Sequence, residues 1–93
     1  MNSKAIKNRM YRGQIIRELI NAYPEPKTIR QLENSLVSSG VIIADISRLL
    51  AYLADKQYIT IEGEDYAYNN LITLRALGVD LAEGTIEDDG VEV

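Results

Sequence analysis

A switch in hydrophobic period near Gln57 constrains this chain more than any other feature. Upstream, apolar residues recur every three or four positions in three successive segments, which places them on one stripe of a helix. Downstream, Tyr58-Ile59-Thr60-Ile61-Glu62 alternates with period two and is rich in β-branched and aromatic residues, as a half-buried strand requires. A chain of 93 residues has room for one core. Three helices must therefore share that core with whatever the period-two segment builds.

The helical segments carry their own punctuation. The first runs from Lys4 to about Tyr23 with the stripe Ile6, Met10, Ile16, Leu19, Ile20 and Tyr23, and Pro24 and Pro26 stop it. Thr28 followed by Gln31 fits a capping box for the second helix, whose stripe is Ile29, Leu32 and Leu36. Gly40 is the natural left-handed residue past its end. The third opens beyond Ile42 with Asp45 in its first turn, buries Ile46, Leu49, Leu50 and Leu53, and fades near Lys56-Gln57. Gly63-Glu64-Asp65 then turns the chain into a return strand from Tyr66 to about Ile72, and Thr73 stands as the cap of a short last helix with the stripe Leu74, Leu77 and Leu81, ending near Gly84.

Helix, helix, helix, hairpin, helix is the order of a winged helix-turn-helix, in which a two-stranded β-hairpin wing covers the core that three helices leave open. The expected fold class is mainly α (α+β), with residues 1–84 as the winged-helix domain and residues 85–93 as an acidic, mobile tail carrying Glu87, Asp88, Asp89 and Glu92.

The stretch 53–61, LADKQYITI, looks like the helix-to-wing junction of winged-helix regulators, and 72–84, ITLRALGVDLAEG, is similar to their closing pattern. Together with GTIEDDGV at 84–91, these segments resemble the small ArsR-like winged-helix proteins of Mu-like phages and prophages, over roughly Ile6 to Val91. The resemblance implies a DNA-binding or regulatory role. Metal sensing, which some members of the wider ArsR family perform through cysteine or histidine ligands, does not carry over, because this chain has neither residue.

That same absence removes thiol and imidazole chemistry and nearly every structural zinc site. No acid is framed by other catalytic residue types, and no glycine-rich phosphate loop occurs, so the side chains point away from an enzyme and toward no cofactor and no metal. The expected location is the cytoplasm, since no apolar run approaches membrane-spanning length.

Charge separates along the chain. Residues 1–30 hold seven cations against two acids, and the remainder three cations against twelve acids, so an acidic protein can still present a basic face. If duplex DNA is the partner, the third helix presents Ala44, Ser47, Arg48, Ala51 and Tyr52 to the major groove, Lys27 and Arg30 clamp phosphate at the start of the second helix, and Lys7, Arg9 and Arg12 add a basic stripe beside Lys4. A homodimer on two half-sites is expected, because one module with so few cations binds weakly. Against DNA stands the wing, whose tip Glu62-Gly63-Glu64-Asp65 would repel phosphate. The alternative is a protein-interaction module that engages a partner through the acidic wing. Tyr58, Tyr66 and Tyr68 are expected to pack across the hairpin.

Overall fold

A computed structural model describes residues 2–63 and 67–93. Four helices and a three-stranded antiparallel sheet form a mixed α+β body: α1 (Ser3–Ala22), β1 (Lys27–Thr28), α2 (Ile29–Ser38), α3 (Ile43–Asp55), β2 (Ile59–Glu62), β3 (Leu71–Leu74) and α4 (Ala76–Glu83). Helix α1 is the central element, touching α2, α3, α4 and β3. The core it helps enclose contains Ile15, Ile16, Leu19, Ile29, Leu32, Leu36, Ile46, Leu50, Leu53, Ile59 and Ile72, all essentially without solvent contact.

The local signals upstream of the period switch act as expected. Thr28 accepts from the Gln31 amide at 3.1 Å while the Gln31 side chain accepts from the Thr28 amide at 2.9 Å, the two halves of a capping box. Gly40, at φ 96°, ends α2 in a left-handed turn: its amide donates to the Val37 carbonyl and the Val41 amide to that of Leu36. Residues 39–42 then redirect the chain so that α3 departs from α2 by 119°. Gln57 closes α3 in the same manner at φ 66°, with the Tyr58 amide on the Leu53 carbonyl. Among the described residues no single helix is long and apolar enough to cross a membrane.

Three expectations change. The sheet has three strands in the order β1-β3-β2, because the chain leaving Pro26 is extended before its cap and pairs Lys27 with Ile72 and Thr28 with Leu71. Thr73 lies within β3 opposite Thr60, and α4 starts at Ala76 with Arg75 in the cap position, making no side-chain cap bond. Leu74 accordingly buries its side chain from a strand, beside Ile59, rather than from a helix. In α1 the stripe is buried only at Ile15, Ile16 and Leu19, with Ile20 half-buried, while Ile6, Met10 and Tyr23 are exposed. The expected tip residues Glu64 and Asp65, and the expected strand start Tyr66, lie outside the described residues; residues 67–70, expected to continue the return strand, form a turn closed by the Asn70 amide on the Ala67 carbonyl, and the strand runs Leu71–Leu74 instead of ending near Ile72.

The segment 85–93, expected to be mobile, lies against the body. Val91 is buried, the Glu92 amide donates to the Arg9 carbonyl at 3.1 Å, and Arg12 and Arg17 each donate to a carbonyl of the segment, those of Gly90 and Glu92, at 3.2 Å. Acidity made this stretch read as solvated. It is attached through its backbone, through Val91 and through the Asp88 carboxylate, none of which composition reveals.

Candidate nucleic-acid interface

The turn between α2 and α3 decides which side chains stand together. Because α3 swings away from α2 by 119°, its first turn projects from the body, and Ile42, Ile43, Ala44, Ser47 and Arg48 are all exposed there. The apolar positions Ile46, Leu49, Leu50 and Leu53 hold the opposite face against the core, so this outward set is fixed in direction.

Cations flank this leading end on two sides. On one side a depression is lined by Lys4, Lys7, Asn8 and Tyr11 of α1 together with Gly40, Val41, Ile42 and Asp45, and an adjoining one by Lys4, Asn8, Arg12, Asp45 and Arg48. On the other side Ile43 lines an apolar depression with Glu33, Ala67 and Tyr68, and the Arg30 guanidinium lies 5.0 Å from the centre of the Tyr68 ring. Arg30 is exposed in the first turn of α2, and Lys27 is half-buried in β1 just ahead of it. Lys4, Lys7, Arg30 and Arg48 thus stand about this end, and two carboxylates line the same depressions, Asp45 paired with Arg48 and Glu33 buried.

Arg48 is 70% exposed and pairs with Asp45 one turn earlier on the same helix. An exposed pair of this kind contributes about 0–1 kcal/mol, while a guanidinium bidentate to guanine is worth about 1–3 kcal/mol.

The expected basic stripe of α1 does not assemble on one face. Lys7 and Arg9 are two positions apart, about 200° around a helix of 3.6 residues per turn, so Lys7 faces the α2–α3 turn while Arg9 lines a depression with Leu81, Ile86, Asp88 and Val91. Arg12 stacks 3.6 Å from the centre of the Tyr52 ring and donates to Gly90, and the Lys56 ammonium lies 5.6 Å from the same ring. Tyr52 is half-buried in that stack instead of standing clear for a base. Arg9 and Tyr52 thus gather at the C-terminal segment and Arg12 reaches from there to the depression beside Arg48; Lys7, Arg30, Ser47 and Arg48 stand about the leading end of α3, with Lys27 in β1 ahead of Arg30.

Asp88 anchors the C-terminal segment electrostatically. The Tyr58 hydroxyl donates to its Oδ2 at 2.6 Å, the Gly90 amide to Oδ1 at 2.7 Å, and Lys56 lies 3.2 Å away. Burial by itself would raise the Asp88 pKa, but the hydrogen bonds from Tyr58 and Gly90 and the Lys56 charge outweigh it, and the carboxyl is held below its ordinary 3.8. Burial and then the Asp88 hydrogen bond push Tyr58 up to about 12. Asp88 likewise raises Lys56, first by accepting its hydrogen bond. The Tyr58 hydroxyl thus bonds the segment while its ring is buried in the core, Tyr68 lies beside Arg30 in the turn before β3, and Tyr66 lies outside the described residues. Among the described residues no three acidic side chains converge as a cation site.

Sequence reasoning passed over Ile42 and Ile43. Their signal was present: two isoleucines occupy the entry to a helix where serine, threonine or aspartate is favoured. Compared with protein-family models, curated proteins and solved structures, the chain matches none.

Proposed function

We propose that the chain is a winged-helix protein that binds duplex DNA as a transcriptional regulator, of the kind its resemblance to the Mu-like phage proteins implies. The observation that carries this reading is the α2–α3 unit: a four-residue turn containing Gly40, a 119° change of direction, and a projecting α3 flanked by cations. A helix-turn-helix joins its helices at about 90–120° and inserts the first residues of the second one into the major groove. Ser47 and Arg48 face base edges, and Lys4, Lys7, Lys27 and Arg30 meet the phosphates on either side.

Four phosphate contacts per copy predict a salt slope near −3.6, which is about a 150-fold loss of affinity between 50 and 200 mM salt. Two copies on adjacent half-sites raise a weak single-module affinity into a useful range. The test is an electrophoretic shift of the full chain against a random-sequence duplex pool and its own neighbouring genomic DNA at two salt concentrations. Retention that weakens with salt and with Arg48→Ala supports the reading, and absence of retention at low salt removes it.

A second reading, a protein-interaction module, is favoured by the exposed Glu62 at the wing and by the Arg48–Asp45 pair, which leaves the middle of α3 nearly neutral. It gains if DNA is not retained and a partner is captured that Glu62→Lys releases.

A further inference from the structure

Ile42 and Ile43 are 68% and 54% exposed, the two most exposed large apolar side chains among the described residues. Ile42 also holds the cap position of α3, where no side chain accepts from the leading amides. A helix entry favours serine, threonine, aspartate or asparagine. Isoleucine there forgoes a cap and leaves apolar surface in water, and such local contradictions gather at sites whose compensation comes from a ligand.

The surroundings specify the ligand's chemistry. Ile42 lines the depression that Lys4 and Lys7 border, Ile43 lines the one whose Tyr68 lies under Arg30, and exposed Ala44 follows them. The two carboxylates that line these depressions present little free charge, Asp45 being paired with Arg48 and Glu33 buried, so two exposed isoleucines with cations on both flanks complement a groove whose two rims carry phosphate and whose floor carries methyl groups. The major groove of duplex DNA has that pattern wherever thymine presents its 5-methyl group.

We infer that Ile42 and Ile43 read thymine 5-methyl groups in the major groove, so that the target site is rich in thymine where the leading end of α3 enters. This rests on the DNA-binding reading and adds the base it selects. Arg48, one turn further along α3, then faces a guanine next to the thymines.

The experiment enriches bound sequences from a random duplex pool with the full chain, then compares the enriched duplex with one carrying deoxyuridine in place of thymine, which removes only the methyl. One buried methyl is worth about a fourfold change in affinity, so two contacted thymines give about a fifteenfold weakening. Ile43→Ser is expected to weaken binding to the thymine duplex about fourfold or more and to leave the deoxyuridine duplex much less affected, because the contact is already gone. At 54% exposure the substitution spares the core. Equal affinity for the two duplexes, or a thymine preference that survives Ile42→Ser with Ile43→Ser, overturns the inference while DNA binding stands. Failure to retain any sequence from the pool at low salt overturns the DNA-binding reading and this inference with it.

Discussion

Gly13 sits in the interior of α1, where glycine costs about 1 kcal/mol relative to alanine, and Gly13→Ala would ordinarily be stabilising. Here it meets the C-terminal segment. A Cβ at position 13 would overlap the Glu92 carbonyl oxygen and lie 2.5 Å from its carbon, both backbone atoms that no rotamer change can move aside. The segment must shift, and with it go the burial of Val91 and the bonds from Glu92 to Arg9, Arg12 to Gly90 and Arg17 to Glu92. Valine burial contributes about 1.5 kcal/mol, and the three partly exposed bonds about 0.5 kcal/mol each. Subtracting about 1 kcal/mol gained by the helix leaves a net loss of about 1–2 kcal/mol, a fall of about 5–15 °C in Tm for a chain of this size. Urea and thermal unfolding followed by far-ultraviolet circular dichroism measure it. In a chain ending at Gly84 the same substitution should reverse sign and stabilise by about 1 kcal/mol. A full-length Gly13→Ala protein as stable as the parent, or the same sign in both backgrounds, would refute the docking of the segment on α1.

Ile42→Ser supplies α3 with the cap it lacks and is expected to raise stability by about 0.5–2 kcal/mol while weakening DNA retention, an opposition that paired unfolding and shift assays detect. Gln57→Gly relieves a left-handed residue at φ 66° and should stabilise by up to about 1 kcal/mol, seen as a higher urea midpoint at unchanged slope. Tyr58, raised to about 12 from 10.0, binds its proton more tightly in the folded state; the stability this confers is complete below about pH 10 and is lost as pH rises through about 12. Phenolate absorbance should show an ionisation near pH 12 that Tyr58→Phe removes. Asp88, held below 3.8, contributes stability that is present above that value and lost as pH falls through its folded-state pKa. A protection factor of the Glu92 amide that falls in acid, after correction for the slower intrinsic exchange there, checks it, and a protection factor unchanged under acid contradicts the anchor.

Much of the architecture is written in local sequence. The three helices, the Thr28–Gln31 box, the Gly40 turn and the β2–β3 pairing follow from period, caps and stops, because each depends on residues within a turn or two of one another. The short β1 was not legible: its two residues carry no alternation, and only the free edge of β3 makes them a strand. Thr73 offered a credible cap that pairing opposite Thr60 overrode. The candidate interface was half legible. Sequence placed Lys7, Lys27, Arg30, Ser47 and Arg48 among cations and an outward helix face, and the structure brings Lys7, Arg30, Ser47 and Arg48 about the entry of α3 while Lys27 lies in β1. It could not separate Arg9 and Arg12 from Lys7, since that depends on what packs against each side of α1. Nor could it place the last nine residues, whose acidity reads as solvation, while their position is set by Val91, by backbone carbonyls, by the Asp88 carboxylate on Tyr58 and Lys56, and by a missing Cβ at Gly13. Periodicity and capping are properties of neighbours in the chain; the docking of a segment some eighty residues away is a property of surfaces that exist only after the core has closed.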